Sequence, residues 1–319
     1  MRRREFIALA GGVAATLALP ARAQQRKTPK LGILLAGKRE PFSKLFWEGM
    51  REFGYIEGQN IQAEMRSAEG TLERLPELAA ELLKQNVDII IASETPSVQA
   101  ARRATSDIPI VMAPAGDPVA SGLVASLARP GGNVTGLSAA TAVLAGKSLE
   151  LFREILPNIQ RVAVLAHPTN PFTKPFLEQI EHAASALRLG HQTVMVRGEA
   201  DYDAAFADMT ARRAEALVAQ PTLAHVRIAE LALKLRLPSV SGNRTFVEAG
   251  GLMSYAGSLA DRYRNAAPYV DRLLKGAKPA ELPVQQPARF EIVINQKTAK
   301  AIGLTLPPTL LARADEVIE

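Results

Sequence analysis

From Leu31 onward, short apolar runs rich in β-branched residues alternate with longer stretches whose apolar positions recur every three or four residues. The first pattern predicts buried strands, the second amphipathic helices, and their alternation a parallel sheet covered by helices on both faces. Strands are expected at 31–36, 61–66, 88–93, 109–113 and 133–137. The helix expected at 41–53 carries Phe42, Leu45, Phe46, Gly49, Met50 and Phe53 on one stripe, with Trp47 off it. Helices at 72–85 and from Thr95-Pro96 complete the series.

A helix at 144–156, stopped by Pro157, leads into a second round of the same rhythm. Its strands are expected at 161–166, 192–196, 216–219, 239–241 and 252–255, with helices at 171–189, 202–213 and 226–235. One helix at 258–275, a Pro-rich extended stretch at 278–287 and a late strand at 291–295 follow. The fold class expected is therefore α/β, with two Rossmann-like lobes of parallel sheets flanked by helices. A chain of 319 residues has room for two lobes of about 100–150 residues each.

Residues 1–23 stand outside this pattern and have the layout of an export signal. Arg2, Arg3 and Arg4 precede an apolar stretch at 7–19, and Ala21-Arg22-Ala23 supplies a small-x-small cleavage pattern before Gln24. Arg3-Arg4-Glu5-Phe6-Ile7 resembles a twin-arginine motif, which implies export in the folded state. The apolar run is shorter than the roughly 20 residues needed to span a bilayer. With no cysteine to carry a lipid or form a disulfide, the expected product is a soluble periplasmic protein.

Composition excludes some partners. Hydrophobic residues make up 47% and charged residues 22% of the chain, which fits a folded rather than a disordered protein. The signal holds four Arg against Glu5, a surplus of three, so the net +6 falls to about +3 without it. The remaining basic residues are spread along helix faces, so no nucleic-acid partner is expected. The four His lack ligand spacing, so no metal site is expected. No phosphate-binding glycine loop or nucleophile elbow occurs, and neither a cofactor nor an enzymatic activity is expected.

Ligands of open parallel sheets sit beyond the carboxyl ends of the strands. That rule selects the loops 37–40, 93–97, 114–118, 167–171, 220–222 and 242–244. Thr95 before Pro96, and Asn170 before Pro171, pair an N-cap residue with proline at a helix start, where free N–H groups attract a carboxylate. Glu94 or Asp117 suits an ammonium, and Arg244 a carboxylate or an interlobe ion pair. Thr169 and Gln220 complete the candidate set. Plain capping competes for Thr95 and Asn170, and a turn for Asp117.

Several segments carry a family likeness: Gly54-Tyr55-Ile56-Glu57-Gly58-Gln59-Asn60, Gly116-Asp117-Pro118-Val119, Arg129-Pro130-Gly131-Gly132-Asn133-Val134-Thr135-Gly136 and Phe246-Val247-Glu248-Ala249-Gly250-Gly251-Leu252-Met253-Ser254-Tyr255. With Leu274-Lys275-Gly276-Ala277-Lys278-Pro279 and Phe290-Glu291-Ile292-Val293-Ile294-Asn295, they resemble the ABC-transporter substrate-binding proteins that include the tryptophan-binding component TrpX. The resemblance implies the type I periplasmic-binding fold, with lobes at 30–136 plus 255–282 and 137–254 plus 283–319, joined by three hinge crossings. It implies a monomer that captures an amino acid or related small organic acid and delivers it to the permease of an ABC importer. Thr95, Asp117, Asn170 and Arg244 match the family's cleft. Ser241 stands where a tyrosine is expected, which removes an aromatic platform, and His167 where asparagine is usual. A ligand-sensing subunit of a signalling system, or an exported enzyme, is the alternative reading.

Overall fold

The computed structural model describes residues 28–319; the signal and its twin-arginine motif lie outside the described residues. The first sheet holds β1 (Lys30–Leu35), β2 (Gln62–Ser67), β3 (Ile89–Ser93), β4 (Ile110–Ala115) and β5 (Val134–Ser138), all parallel in the order β2-β1-β3-β4-β5. Every residue of β3 and β4 is buried, as expected of strands covered on both faces. Alternate residues serve two cores. Ile33, Ile91 and Val111 pack with Phe42, Phe46 and Met50 of α1 (Phe42–Glu52). Leu34, Ile90 and Met112 pack with Leu78 and Leu82 of α2 (Leu75–Lys84) and Val98 of α3 (Thr95–Ala104).

Helix α4 (Thr141–Ile155) opens the second half. There β6 (Arg161–Ala166), β7 (Gly190–Met195), β8 (Ala216–Ala219), β9 (Ser239–Ser241) and β10 (Met253–Gly257) repeat the order of the first sheet, and β11 (Phe290–Asn295) and β12 (Glu316–Ile318) extend its edge. One core joins Val162 and Val164 to Phe152 of α4 and Phe176 of α5 (Thr173–Leu187). The other joins Ala163 and Leu165 to Phe206 of α6 (Tyr202–Ala211), Ile228 of α7 (His225–Lys234) and Phe246 of α8 (Arg244–Glu248).

After β10 the chain returns to the first sheet as α9 (Leu259–Arg264) and α10 (Ala267–Leu274), and Val270 and Leu273 join the core under α1. A Cβ on Gly49 of α1 would lie 2.6 Å from the Arg264 carbonyl oxygen, so glycine permits this close helix approach. The third crossing is zipped onto the first: Ser138 N–H donates to the Gln285 carbonyl (2.8 Å) and Gln285 N–H to that of Gly136 (3.0 Å). The tail ends in α11 (Gln296–Ala301), capped by Asn295, and α12 (Pro308–Arg313).

Four details depart from expectation. The second sheet is not wholly parallel. Because β11 re-enters from the first lobe beside the end at which β10 left, Gly257 pairs with Phe290 and the two strands run antiparallel. Tyr255 pairs with Ile292 inside that ladder, so the crossing follows Gly257. The helix expected at 258–275 is broken before Pro268, which starts α10 in its first turn. Trp47 is buried, in edge contact with Phe46, because α9 and α10 cover a second side of α1.

Candidate functional site

In the first sheet the helices after β1 and β3, α1 and α3, lie on opposite faces, which opens a crevice at the carboxyl ends of those strands. The second sheet repeats the arrangement at β6 and β8 with α5 and α7. Together the two crevices enclose a cavity of about 670 Å³, a volume suited to a small molecule. Its first wall includes Lys38, Phe42, Glu94 and Tyr263, and its second His167, Arg197, Tyr202, Thr222, His225 and Asn243. Phe42 and Tyr263 meet edge to face at 5.2 Å, giving the cavity an aromatic side.

The polar groups of the second wall are bonded mainly to one another. Gln220 is fully buried; its Oε1 accepts from His167 N–H (2.8 Å) and its Nε2 donates to Thr173 Oγ1 (2.9 Å). Thr173 in turn donates to the His167 carbonyl (2.6 Å). Thr169 N–H donates to His167 Nδ1 (3.3 Å), which leaves Nε2 to carry the proton and donate to the Arg197 carbonyl (3.1 Å). Asn170 accepts from Phe172 N–H and donates to Thr222 Oγ1 (2.8 Å), steering that hydroxyl.

The tautomer of His225 follows from its neighbours. Asn243 Oδ1 accepts from Thr245 N–H (3.0 Å), so its Nδ2 must face His225 Nε2 (2.8 Å) and donate to it. The imidazole is therefore neutral with its proton on Nδ1, beside the Pro221 carbonyl, and burial pushes its pKa down to about 4 against the pull of that carbonyl. Tyr202 accepts from Ala224 N–H (3.1 Å).

On the first wall Glu94 differs from all of these. Its backbone has φ 72° and ψ 149°, a region that L residues rarely adopt and that costs about 1–3 kcal/mol. It sits at the N-cap of α3, yet its side chain does not cap that helix. One carboxylate oxygen instead lies 3.9 Å from where a Cβ on Gly37 would stand, across the crevice at the end of β1. Burial pushes the carboxyl up to about 7, opposed by the charge of Arg262.

Of the eight residues selected from the sequence, the cavity wall takes Glu94. Thr95 is buried and accepts from Gly116 N–H (3.0 Å), and Pro96 is buried in the first turn of α3. Asp117 accepts from Ala120 N–H (3.1 Å) within a turn. Asn170 and Gln220 stand behind the second wall, and Thr169 is exposed at its edge. Arg244 forks onto Glu316 of β12 and bonds Glu248 (2.8 Å), an ion-pair cluster inside the second lobe rather than between lobes. Tyr202, His225 and Tyr263 were not selected. Tyr263 reaches the site on a helix that returns from the other half of the chain, a placement that local pattern does not reveal. Ser241 is buried outside the cavity wall, so the aromatic surface comes from Phe42, Tyr202 and Tyr263 instead.

The sequence profile described as ABC transporter substrate binding protein matches residues 41–318. A tyrosine-binding protein of Clostridioides difficile is 26% identical over 267 residues, covering 82% of this chain and 76% of that protein. A conserved domain protein from Vibrio cholerae superposes with a TM-score of 0.85 at 28% identity, covering 91% of this chain and 100% of the other. An ABC domain from Streptococcus pneumoniae in complex with L-Trp superposes with a TM-score of 0.84 at 26% identity, covering 92% and 100%.

Proposed function

Because the chain belongs to the ABC transporter substrate binding protein family, we propose that it captures an amino acid in the interlobe cavity and presents it to the permease of an importer. The observation that carries this reading is the cavity itself: two strand-end crevices, one from each sheet, close around a single space with an aromatic side and a charged rim. Lys38 and Arg197 offer cations to a carboxylate, while Phe42, Tyr202 and Tyr263 offer ring surface to an apolar side chain. The relatives that bind tyrosine and L-Trp favour an aromatic cargo.

In this reading the lobes are the bodies joined by the three crossings, and ligand shifts them toward the closed arrangement. The protein works as a monomer in the periplasm and releases its cargo unchanged. Among the described residues no helix is long and apolar enough to cross a membrane. Thermal unfolding against the twenty amino acids tests the reading, since a ligand that binds only the folded chain raises its melting temperature. A rise with tyrosine or tryptophan is expected; no rise with any amino acid would sink it.

A further inference from the structure

Five carboxylates, Glu40, Glu69, Glu73, Glu94 and Glu199, line the cavity against two basic side chains, Lys38 and Arg197. An acidic surplus in a confined space concentrates cations. Glu69 and Glu94 both have positive φ, but Glu94, at φ 72° and ψ 149°, stands at the crevice between β1 and β3, with no hydrogen-bond partner for its side chain among the described residues. Strain of this kind persists where the surroundings enforce it, and it clusters at ligand clamps.

We propose that Glu94 is the receptor for the ligand's ammonium group and that binding drives a proton off its carboxyl, so that capture is coupled to pH. The inference rests on the amino-acid reading above and specifies which group meets the ammonium end of the zwitterion. At the second wall the side chains of His167, Asn170, Gln220 and Asn243 are engaged with one another or with their neighbours, whereas Glu94 faces the cavity with its oxygens uncommitted. An ammonium needs such an acceptor, and a carboxylate taken out of water needs such a counter-charge.

The proton follows from the surroundings. Arg262 and Tyr263 face Glu94 from α9, Lys38 and Glu40 from the β1–α1 loop, and Glu69 and Glu73 from the turn after β2. Across the cleft stand His167, Arg197, Glu199 and His225. Burial outweighs the pull of Arg262, so the carboxyl of the empty site is half protonated near neutrality. A bound ammonium favours the ionised form, and one proton leaves to solvent for each ligand that enters a protonated site. Affinity then rises with pH up to about 7 and levels off above. His225, held neutral with a pKa near 4, does not titrate in that interval.

The test is calorimetric titration of the whole chain with L-tryptophan and L-tyrosine, and with their des-amino analogues 3-indolepropionate and 3-(4-hydroxyphenyl)propionate, between about pH 5.5 and 8.5. The expected result is an amino-acid affinity that climbs toward about tenfold per pH unit on the acid side. Glu94→Gln should bind about 30-fold more weakly with that climb gone, while the des-amino analogues bind both proteins alike. Glu94→Gly, whose backbone suits the observed φ, carries the same expectation and guards against a folding failure. Wild-type affinity or an undiminished climb in both variants would overturn the assignment while leaving the amino-acid reading intact. No heat from either amino acid, with heat from a des-amino analogue, would overturn both.

Discussion

The two walls of the cleft are built from sheets of the same strand order, yet they spend their polar side chains differently. On the second wall His167, Gln220, Thr173, Asn170 and Asn243 satisfy one another and the backbone. On the first, Glu94 is strained, half-buried and uncommitted. A network of that kind fixes a surface rigidly, because each lost member leaves others unsatisfied. An unsatisfied carboxyl destabilises the empty protein and is available to a ligand. The bonded network thus lies at the second wall, and the acceptor proposed for the ammonium lies on the first.

Breaking the second wall should have the largest effect. Gln220→Leu leaves the His167 N–H without an acceptor and takes away the donor to Thr173 Oγ1 at a fully buried site, and should lower unfolding free energy by about 3 kcal/mol in urea titration. Next is the seam near the hinge, where a Cβ on Gly116 would fall 2.6 Å from the ring of Phe172, itself buried. Gly116→Ala should cost about 2 kcal/mol and weaken ligand binding by holding the lobes apart, read by the same titration and by calorimetry.

On the first wall the sign reverses. Glu94→Gly relieves the strained backbone and should stabilise the empty protein by about 1 kcal/mol, raising its melting temperature by about 2–4 °C. The carboxyl adds a pH signature. Its folded pKa of about 7 exceeds the ordinary 4.5, so the folded state binds more protons between those values and its stability contribution is lost as pH rises through them. His225 acts in the opposite direction between about 4 and 6.5. The difference in melting temperature between wild type and Glu94→Gln, followed across that range, isolates the Glu94 contribution. A difference that does not change with pH would contradict a buried carboxyl. The smallest effect belongs to Arg244→Ala, which removes a half-exposed cluster with Glu316 and Glu248. It should cost no more than about 1 kcal/mol and leave ligand affinity unchanged.

Much of the scaffold was legible in the sequence because its strands are covered on both faces. The strand expected at 161–166 is found at those residues, since a run of Val, Ala and Leu has no other stable place. The helix expected at 258–275 failed at Pro268, whose start signal was present but overridden by the apolar rhythm around it. Trp47 lies off the apolar stripe of α1 and is buried all the same, because the helices that cover it come from more than 200 residues later in the chain.

Five of the six loops named by the strand-end rule contribute residues to the cavity, His167, Thr222 and Asn243 among them, whereas 114–118 contributes none and the segments 69–73 and 197–199 lie outside the loops it named. It did not separate side chains bound to nearby backbone, such as Thr95 on Gly116 N–H and Asp117 in its turn, from that of Glu94. The same Asn, Thr and Asp chemistry serves both purposes, and only the partners distinguish them. For Glu94 the distinguishing feature is a positive φ at a residue that is not glycine, which no propensity forecasts.

The most direct test of the account is calorimetric titration of the protein with L-tyrosine and L-tryptophan near pH 8, where Glu94 is ionised, alongside the Glu94→Gln and Arg244→Ala variants. The account predicts one amino acid bound per chain, weakened in the first variant and unchanged in the second. Absence of binding by both amino acids, or loss confined to the Arg244 variant, would contradict it.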